Sequence, residues 1–91
     1  MGRTISVEAA PTRLGWDCDV EVNEDGGGSR HNVRVSREDL ERWGRPAEPV
    51  EDLVRRTFQF LLAREPAGSI LKSFELADVV RYFPEFDREM R

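Results

Sequence analysis

Cys18 and His31, the one cysteine and the one histidine of this 91-residue chain, are the first residues whose types could do chemistry together. A thiolate nucleophile needs an imidazole base within hydrogen-bond reach. In the tightest hairpin that the intervening residues allow, the two are diagonal neighbours on one face of paired strands, roughly 6–8 Å apart at Cβ. That face is apolar, so burial would raise the pKa of the thiol instead of activating it. The pattern favours two structural residues over a catalytic pair, and it falls short of the four ligands of a zinc site.

Three carboxylates alternate along the preceding strand, at Asp17, Asp19 and Glu21, and could approach a hard cation from one face. Their spacing lacks the glycine-centred loop of an EF-hand, and Arg30 and Arg34 are placed to balance them. We therefore predict a solvated strand face and no metal site.

A glycine run at positions 26–28 could cradle a phosphate only if it led into a helix N-terminus. Here it leads into a strand, so it is interpreted as turn chemistry. We predict no catalytic, cofactor-binding or metal-binding residue in this chain.

Two strands with alternating polarity must position these side chains. Residues 16–22 place Trp16, Cys18, Val20 and Val22 on one face, and residues 30–35 place His31, Val33 and Val35 on one face. The Asp25-Gly26 pair between them predicts a hairpin over 16–35. A two-residue turn sets Glu21 opposite Arg30, whereas a looser loop shifts the register by two positions. Residues 1–13 form a weak edge strand or a tail, with Pro11 removing a ladder donor.

Helices follow the hairpin. Ser36 with Asp39 predicts a capped helix over 37–43 that ends at a left-handed Gly44. Pro49 as first helical residue predicts the main helix over 49–65, whose apolar stripe is widened by Phe60. Residues 69–86 are predicted as a C-terminal helical segment, although 69–74 could equally be extended. Together these patterns predict one α+β domain over 1–91, in which an antiparallel β-hairpin packs against two to three C-terminal helices.

Aromatic side chains are the candidates for partner binding. Tyr82 and Phe86 lie in the densest aromatic cluster of the chain, Phe60 widens the apolar arc of the main helix, and Trp43 adjoins Gly44. Exposed aromatics beside arginine are typical of protein interfaces. The alternative is that these rings complete the core of a small domain.

The C-terminal half also carries a resemblance. The segments Pro49 to Pro66, ILKSF at 70–74 and RYFPEF at 81–86 resemble those of a group of small uncharacterised bacterial proteins, over residues 33–89 at most. The resemblance implies a complete small bacterial protein. It implies no activity and no site residue.

Composition limits the function classes. Each half of the chain carries seven basic and nine acidic residues, and the net charge of −4 lacks the clustered positive charge that nucleic-acid affinity needs. A single cysteine and the lack of a signal sequence or apolar span predict a cytoplasmic protein without membrane contact. The leading hypothesis is a non-enzymatic interaction module that binds a protein partner or a second copy. The alternative is a nucleic-acid-associated regulator that uses Arg55, Arg56, Arg64 and Arg81.

Overall fold

A four-stranded sheet forms one layer of the protein. The computed structural model of the chain describes residues 2–91, with strands β1 (Thr4–Pro11), β2 (Gly15–Glu24), β3 (Gly27–Ser36) and β4 (Ser73–Glu75) in the spatial order β1-β2-β3-β4. The first three strands are antiparallel, and β4 joins β3 in parallel. Helices follow the first three strands along the chain, so the predicted α+β fold is confirmed.

The β2–β3 hairpin has the tight register. Glu24 pairs with Gly27 across a two-residue turn at Asp25-Gly26, and Gly26 has a φ of 84°. The glycine of an Asp-Gly turn adopts positive φ without steric cost. Glu21 consequently faces Arg30, and the looser register is wrong.

Residues 4–11 form the third strand, at the edge of the sheet. Ile5, Val7 and Ala9 of β1 are half-buried and pack against the core, while the residues between them are exposed. The edge-strand interpretation of residues 1–13 is therefore confirmed, and the strand extends to Pro11.

Four helices complete the chain: α1 (Arg37–Trp43), α2 (Val50–Leu62), α3 (Val79–Tyr82) and α4 (Glu85–Met90). The Ser36 side chain accepts from the Asp39 N–H at 3.1 Å, and the Asp39 carboxylate accepts from the Ser36 N–H at 3.0 Å, which is the predicted capping box. The prediction for Gly44 is wrong, because its φ of −76° is extended and not left-handed. Glycine fits there because a Cβ would lie 2.5 Å from the Leu40 carbonyl oxygen.

The main helix is shorter than predicted. Pro49 precedes it as the N-cap and is not its first helical residue. At the other end the Arg64 and Glu65 N–H groups both bond to the Leu61 carbonyl, each at 2.9 Å. This tightening of the last turn ends α2 before Pro66.

The predicted helical segment over 69–86 is only partly correct. Ser73–Glu75 is a strand, because Phe74 is buried beneath the sheet while its polar neighbours face outward, and the edge of β3 supplies backbone partners. A 3-10 turn at Ala67–Ser69 precedes the strand, and a second one at Leu76–Asp78 follows it and leads into α3. Pro84 then separates α3 from α4, which carries Phe86.

The core lies between the inner face of the sheet and α2. Cys18, Val20, Val22, Val33 and Val35 of the hairpin are buried, as the alternation predicted. Helix α2 buries eight of its thirteen residues. A helix that is apolar over so wide an arc needs cover on more than one side. The sheet covers one side, and the aromatic rings of residues 83 and 86 cover Phe60 on another.

Candidate functional site

Cys18 and His31 lie on the same inner face, but nothing in their surroundings activates the thiol. Cys18 is fully buried. Loss of solvation, with a smaller contribution from the negative charges of Glu51, Asp17 and Asp19, raises the pKa of its thiol from an ordinary value of 9.0 to about 12. The thiolate is the reactive form of cysteine. Cys18 is therefore a packing residue of the sheet.

We expect Cys18 to be unreactive in the native protein at pH 8. A pKa near 12 in place of 9.0 lowers the thiolate population about thousandfold. An aromatic disulfide reagent should give no absorbance change over minutes, and a full equivalent once denaturant is added. Fast stoichiometric labelling of the folded protein would contradict this packing role.

His31 hydrogen-bonds to partners that the sequence did not indicate. Its Nδ1 lies 2.7 Å from the Leu71 carbonyl oxygen, and its Nε2 lies 2.7 Å from the Ser29 hydroxyl. Because a carbonyl only accepts, Nδ1 donates, and in the neutral ring Nε2 then accepts from the Ser29 hydroxyl. The ring also packs on Phe58, with 5.1 Å between centroids. His31 thereby ties the segment before β4 to the centre of the sheet.

The Ser29–His31 contact pairs the same groups as a serine nucleophile and its general base, but it lacks the substrate site that such a pair needs. Ser29 is not among the residues that line the cavity that His31 shares with Arg30, Asn32 and Lys72. A serine nucleophile needs a substrate site that adjoins both its hydroxyl and its base, and this cavity adjoins only the base. The one signal for this contact in the sequence was the two-residue spacing, which places both side chains on one strand face.

The alternating carboxylates of β2 are held by neighbouring side chains. Asn32 donates to Asp17 and to Asp19, and Arg30 forms an ion pair with Glu21 at 3.0 Å. Within residues 2–91, no group of three or more histidine, cysteine or carboxylate side chains is arranged to hold a metal ion. Arg34 lies opposite Asp17 in register, but its guanidinium donates to Asn32 and Ser73.

Three of the four aromatic candidates are in the core. Trp43, Phe60 and Phe86 are buried, and Phe86 contacts both of the others edge-on, at centroid distances of 5.4 and 5.2 Å. Of the two interpretations open for these rings, burial supports the core for all three and not a contact surface. The physical reason is that α4 folds back over α2, so the surplus apolar arc of α2 is covered within the chain.

Tyr82 is the aromatic candidate that remains exposed. It is 67% exposed at the end of α3, and Leu71, before β4, is 53% exposed. Both line a groove of about 180 Å³ that we call the Tyr82 groove. Its other lining residues are buried or half-buried apolar side chains and three polar ones: Leu61, Ile70, Phe74, Val79, Phe83, Glu65, Ser69 and Asp78.

The charges of the Tyr82 groove are acidic. Glu65 and Asp78 line it, and no basic side chain does. Asp78 accepts a hydrogen bond from the Glu75 N–H at 3.2 Å, and its nearest cation is Arg81 at 3.8 Å. The groove thus combines an apolar floor with two carboxylates, one of which is in a long ion pair with Arg81. Leu71 and Asp78 were missed in the sequence because their segment was assigned to a helix.

The arginines proposed for nucleic-acid binding are engaged elsewhere. Arg55 bonds to Asp52, Arg56 to Glu48, and Arg64 to Glu85 and Glu89. Arg81 is the most exposed of the four, at 80% of its side chain. Each of the four therefore has a carboxylate partner, and together they do not form a free basic patch.

Comparison with known proteins assigns no class to this fold and groove. No family model, curated protein or solved structure matches the chain. The resemblance of the C-terminal segments to small bacterial proteins stays a prediction. None of the helices formed by residues 2–91 combines the length and apolar character needed to cross a bilayer.

Proposed function

We propose that this protein is a non-enzymatic interaction module whose Tyr82 groove binds a peptide segment of a partner protein. The observation that carries this proposal is the exposure of Tyr82 and Leu71 above a buried apolar floor. Exposed tyrosine beside a desolvated pocket is the typical composition of an interface hot spot. Core packing gives no reason for either side chain to remain in water.

The size of the groove favours a single anchoring side chain. Sites for drug-sized ligands occupy about 300–1,000 Å³, whereas an apolar cavity of about 150 Å³ accepts benzene. A groove of about 180 Å³ therefore matches one leucine or aromatic ring of a partner.

The charge of the groove specifies the neighbours of that anchor. Glu65 and Asp78 favour arginine or lysine flanking the apolar residue, since complementary charge speeds encounter and excludes acidic sequences.

The buried, unpaired Cys18 suits a reducing compartment, so we place this interaction in the cytoplasm. The pairing of three of the four candidate arginines gives the nucleic-acid alternative no comparable support.

We expect selection from a random peptide library to enrich sequences with one leucine or aromatic residue flanked by basic residues. Binding of the best peptide should weaken about thirtyfold in Tyr82→Ala, the loss typical of a hot-spot residue. Fluorescence anisotropy of the labelled peptide measures this. Glu65→Lys should weaken binding and reduce its salt dependence.

Leu14 provides the matched control. It is 80% exposed in the loop between β1 and β2, outside the Tyr82 groove, so Leu14→Ala should leave peptide affinity unchanged. Equal losses for Leu14→Ala and Tyr82→Ala, or peptides without an apolar anchor, would rule out this groove as the binding site.

A further inference from the structure

The free edge of β1 is the second surface that could accept a partner. β1 lies at the end of the sheet, with β2 on one side and no strand of residues 2–91 on the other. It is eight residues long, and its one charged side chain is Glu8. An uncovered strand edge presents unpaired N–H and C=O groups, which other extended chains can pair with.

The structure indicates which backbone groups point away from β2. The Ile5 carbonyl accepts a hydrogen bond from Arg55 at 3.2 Å, so it faces the open edge. In an antiparallel ladder the N–H and C=O of one residue face the same side, and the side alternates along the strand. Val7 and Ala9 therefore share the open edge with Ile5. Pro11 also faces the open edge in this alternation, so its lack of an N–H removes no hydrogen bond to β2.

We propose that a second copy of this chain pairs with this edge, antiparallel and about a two-fold axis at Val7. In this register Val7 faces Val7 of the second copy, and Ile5 faces its Ala9. The Val7 pair and the Ile5 N–H then form bonds across the axis, and the Ala9 N–H of the second copy takes the place of Arg55 at the Ile5 carbonyl. The half-buried row of Ile5, Val7 and Ala9 continues into the same row of the second copy, which extends the apolar face without a break.

Charge selects this register over the next one. Centring the axis on Glu8 would set two glutamates directly opposite each other, which is unfavourable. The Val7-centred register sets Glu8 opposite Ser6 of the second copy. Centring on Ser6 would leave Ala9 opposite Arg3 and shorten the paired segment.

The edge of β1 and the Tyr82 groove lie at opposite ends of the sheet, so this inference does not depend on the proposed function.

Cysteine cross-linking tests the register directly. In an antiparallel hydrogen-bonded pair the Cα atoms lie about 5.5 Å apart, within the range of a disulfide. Val7→Cys should therefore convert most of the protein, under mild oxidation, to a covalent dimer of twice the 10.5 kDa chain mass. Ser6→Cys is the matched control, because its copies would be diagonal and about 8 Å apart, beyond bridging distance. Native Cys18 is buried and should not contribute.

Sedimentation of the unmodified protein over a hundredfold concentration range tests the dimer itself. We expect a concentration-dependent shift towards twice the monomer mass, and at least about tenfold weaker association in Val7→Pro, which removes an outward N–H. Circular dichroism checks that this variant folds; if it does not, the cross-linking decides. A monomer at all concentrations, a dimer unaffected by Val7→Pro, or cross-linking of Ser6→Cys without Val7→Cys would each overturn the proposal.

Discussion

Replacing Phe86 by alanine is expected to lower the free energy of unfolding by about 3–5 kcal/mol, the range for deleting a fully buried phenylalanine. Phe86 is buried and contacts Trp43 and Phe60 edge-on. Removing the ring leaves a cavity between α1, α2 and α4 that the short α4 cannot close without losing its own contacts. Two aromatic pairs are also lost, each worth about 0.5–1.5 kcal/mol beyond the buried area.

Urea denaturation followed by circular dichroism measures this loss. Because a domain of this size is stable by about 5–15 kcal/mol, Phe86→Leu should accompany the alanine variant as a milder change that remains folded. Tyr82→Ala is the control, since an exposed ring should change stability by less than about 0.5 kcal/mol. Equal losses for Phe86→Ala and Tyr82→Ala would mean that Phe86 is not part of the core.

The second large effect is expected at Arg56. Its guanidinium donates to both carboxylate oxygens of Glu48, at 2.8 and 2.7 Å, and to the Trp43 carbonyl at 3.0 Å. The side chains of Arg56 and Glu48 are only 17% and 9% exposed. Arg56→Ala removes the ion-pair partner of Glu48, whose carboxylate keeps a hydrogen bond from the Arg45 N–H at 3.0 Å, and the side-chain donor of the Trp43 carbonyl, at an expected cost of about 3 kcal/mol. This is the low end of the range for buried pairs because some solvent still reaches both groups.

Arg81→Ala is the matched arginine control. Its ion pair with Asp78 is long, at 3.8 Å, and its side chain is 80% exposed, so the expected loss is below about 0.5 kcal/mol. Thermal and urea unfolding of both variants give the comparison. If Arg56→Ala proves as stable as Arg81→Ala, the link from α2 to the α1–α2 loop carries little stability.

The same pair predicts a pH dependence. Hydrogen bonds from Arg56 hold the pKa of the Glu48 carboxyl below its ordinary value of 4.5 in the folded protein. A lowered folded pKa means that the unfolded chain binds a proton first, so the stabilisation is complete above pH 4.5 and is lost as pH falls through the folded value. In Glu48→Gln this part of the acid sensitivity should be absent when unfolding temperature is followed from pH 7 to pH 2. An unchanged acid slope would contradict it.

The hairpin was predictable because its signals are local. Strict alternation over 16–22 and 30–35 selects the buried face of each strand, and Asp25-Gly26 indicates a turn between them. Both registers that the glycine run allows keep the same buried faces, so the structure was needed to choose the tight one. The capping box at Ser36 is likewise contained within four residues. Each of these features depends on a few consecutive residues, so the types of neighbouring residues are sufficient to predict it.

The sequence by itself determined the α+β class, the buried face of each hairpin strand and the apolar stripe of α2, whereas the structure decided between the two hairpin registers. Only the tertiary structure decided that Trp43, Phe60 and Phe86 are core while Tyr82 and Leu71 are exposed. The physical reason is that an apolar side chain carries no information about which of several distant surfaces will cover it. The parallel pairing of β4 with β3 brings Phe74 to the sheet from some forty residues away, and with it the Tyr82 groove. His31, predicted to be a structural strand residue, bonds to Ser29 and to the Leu71 carbonyl, and the second of these contacts also depends on the packing of a distant segment.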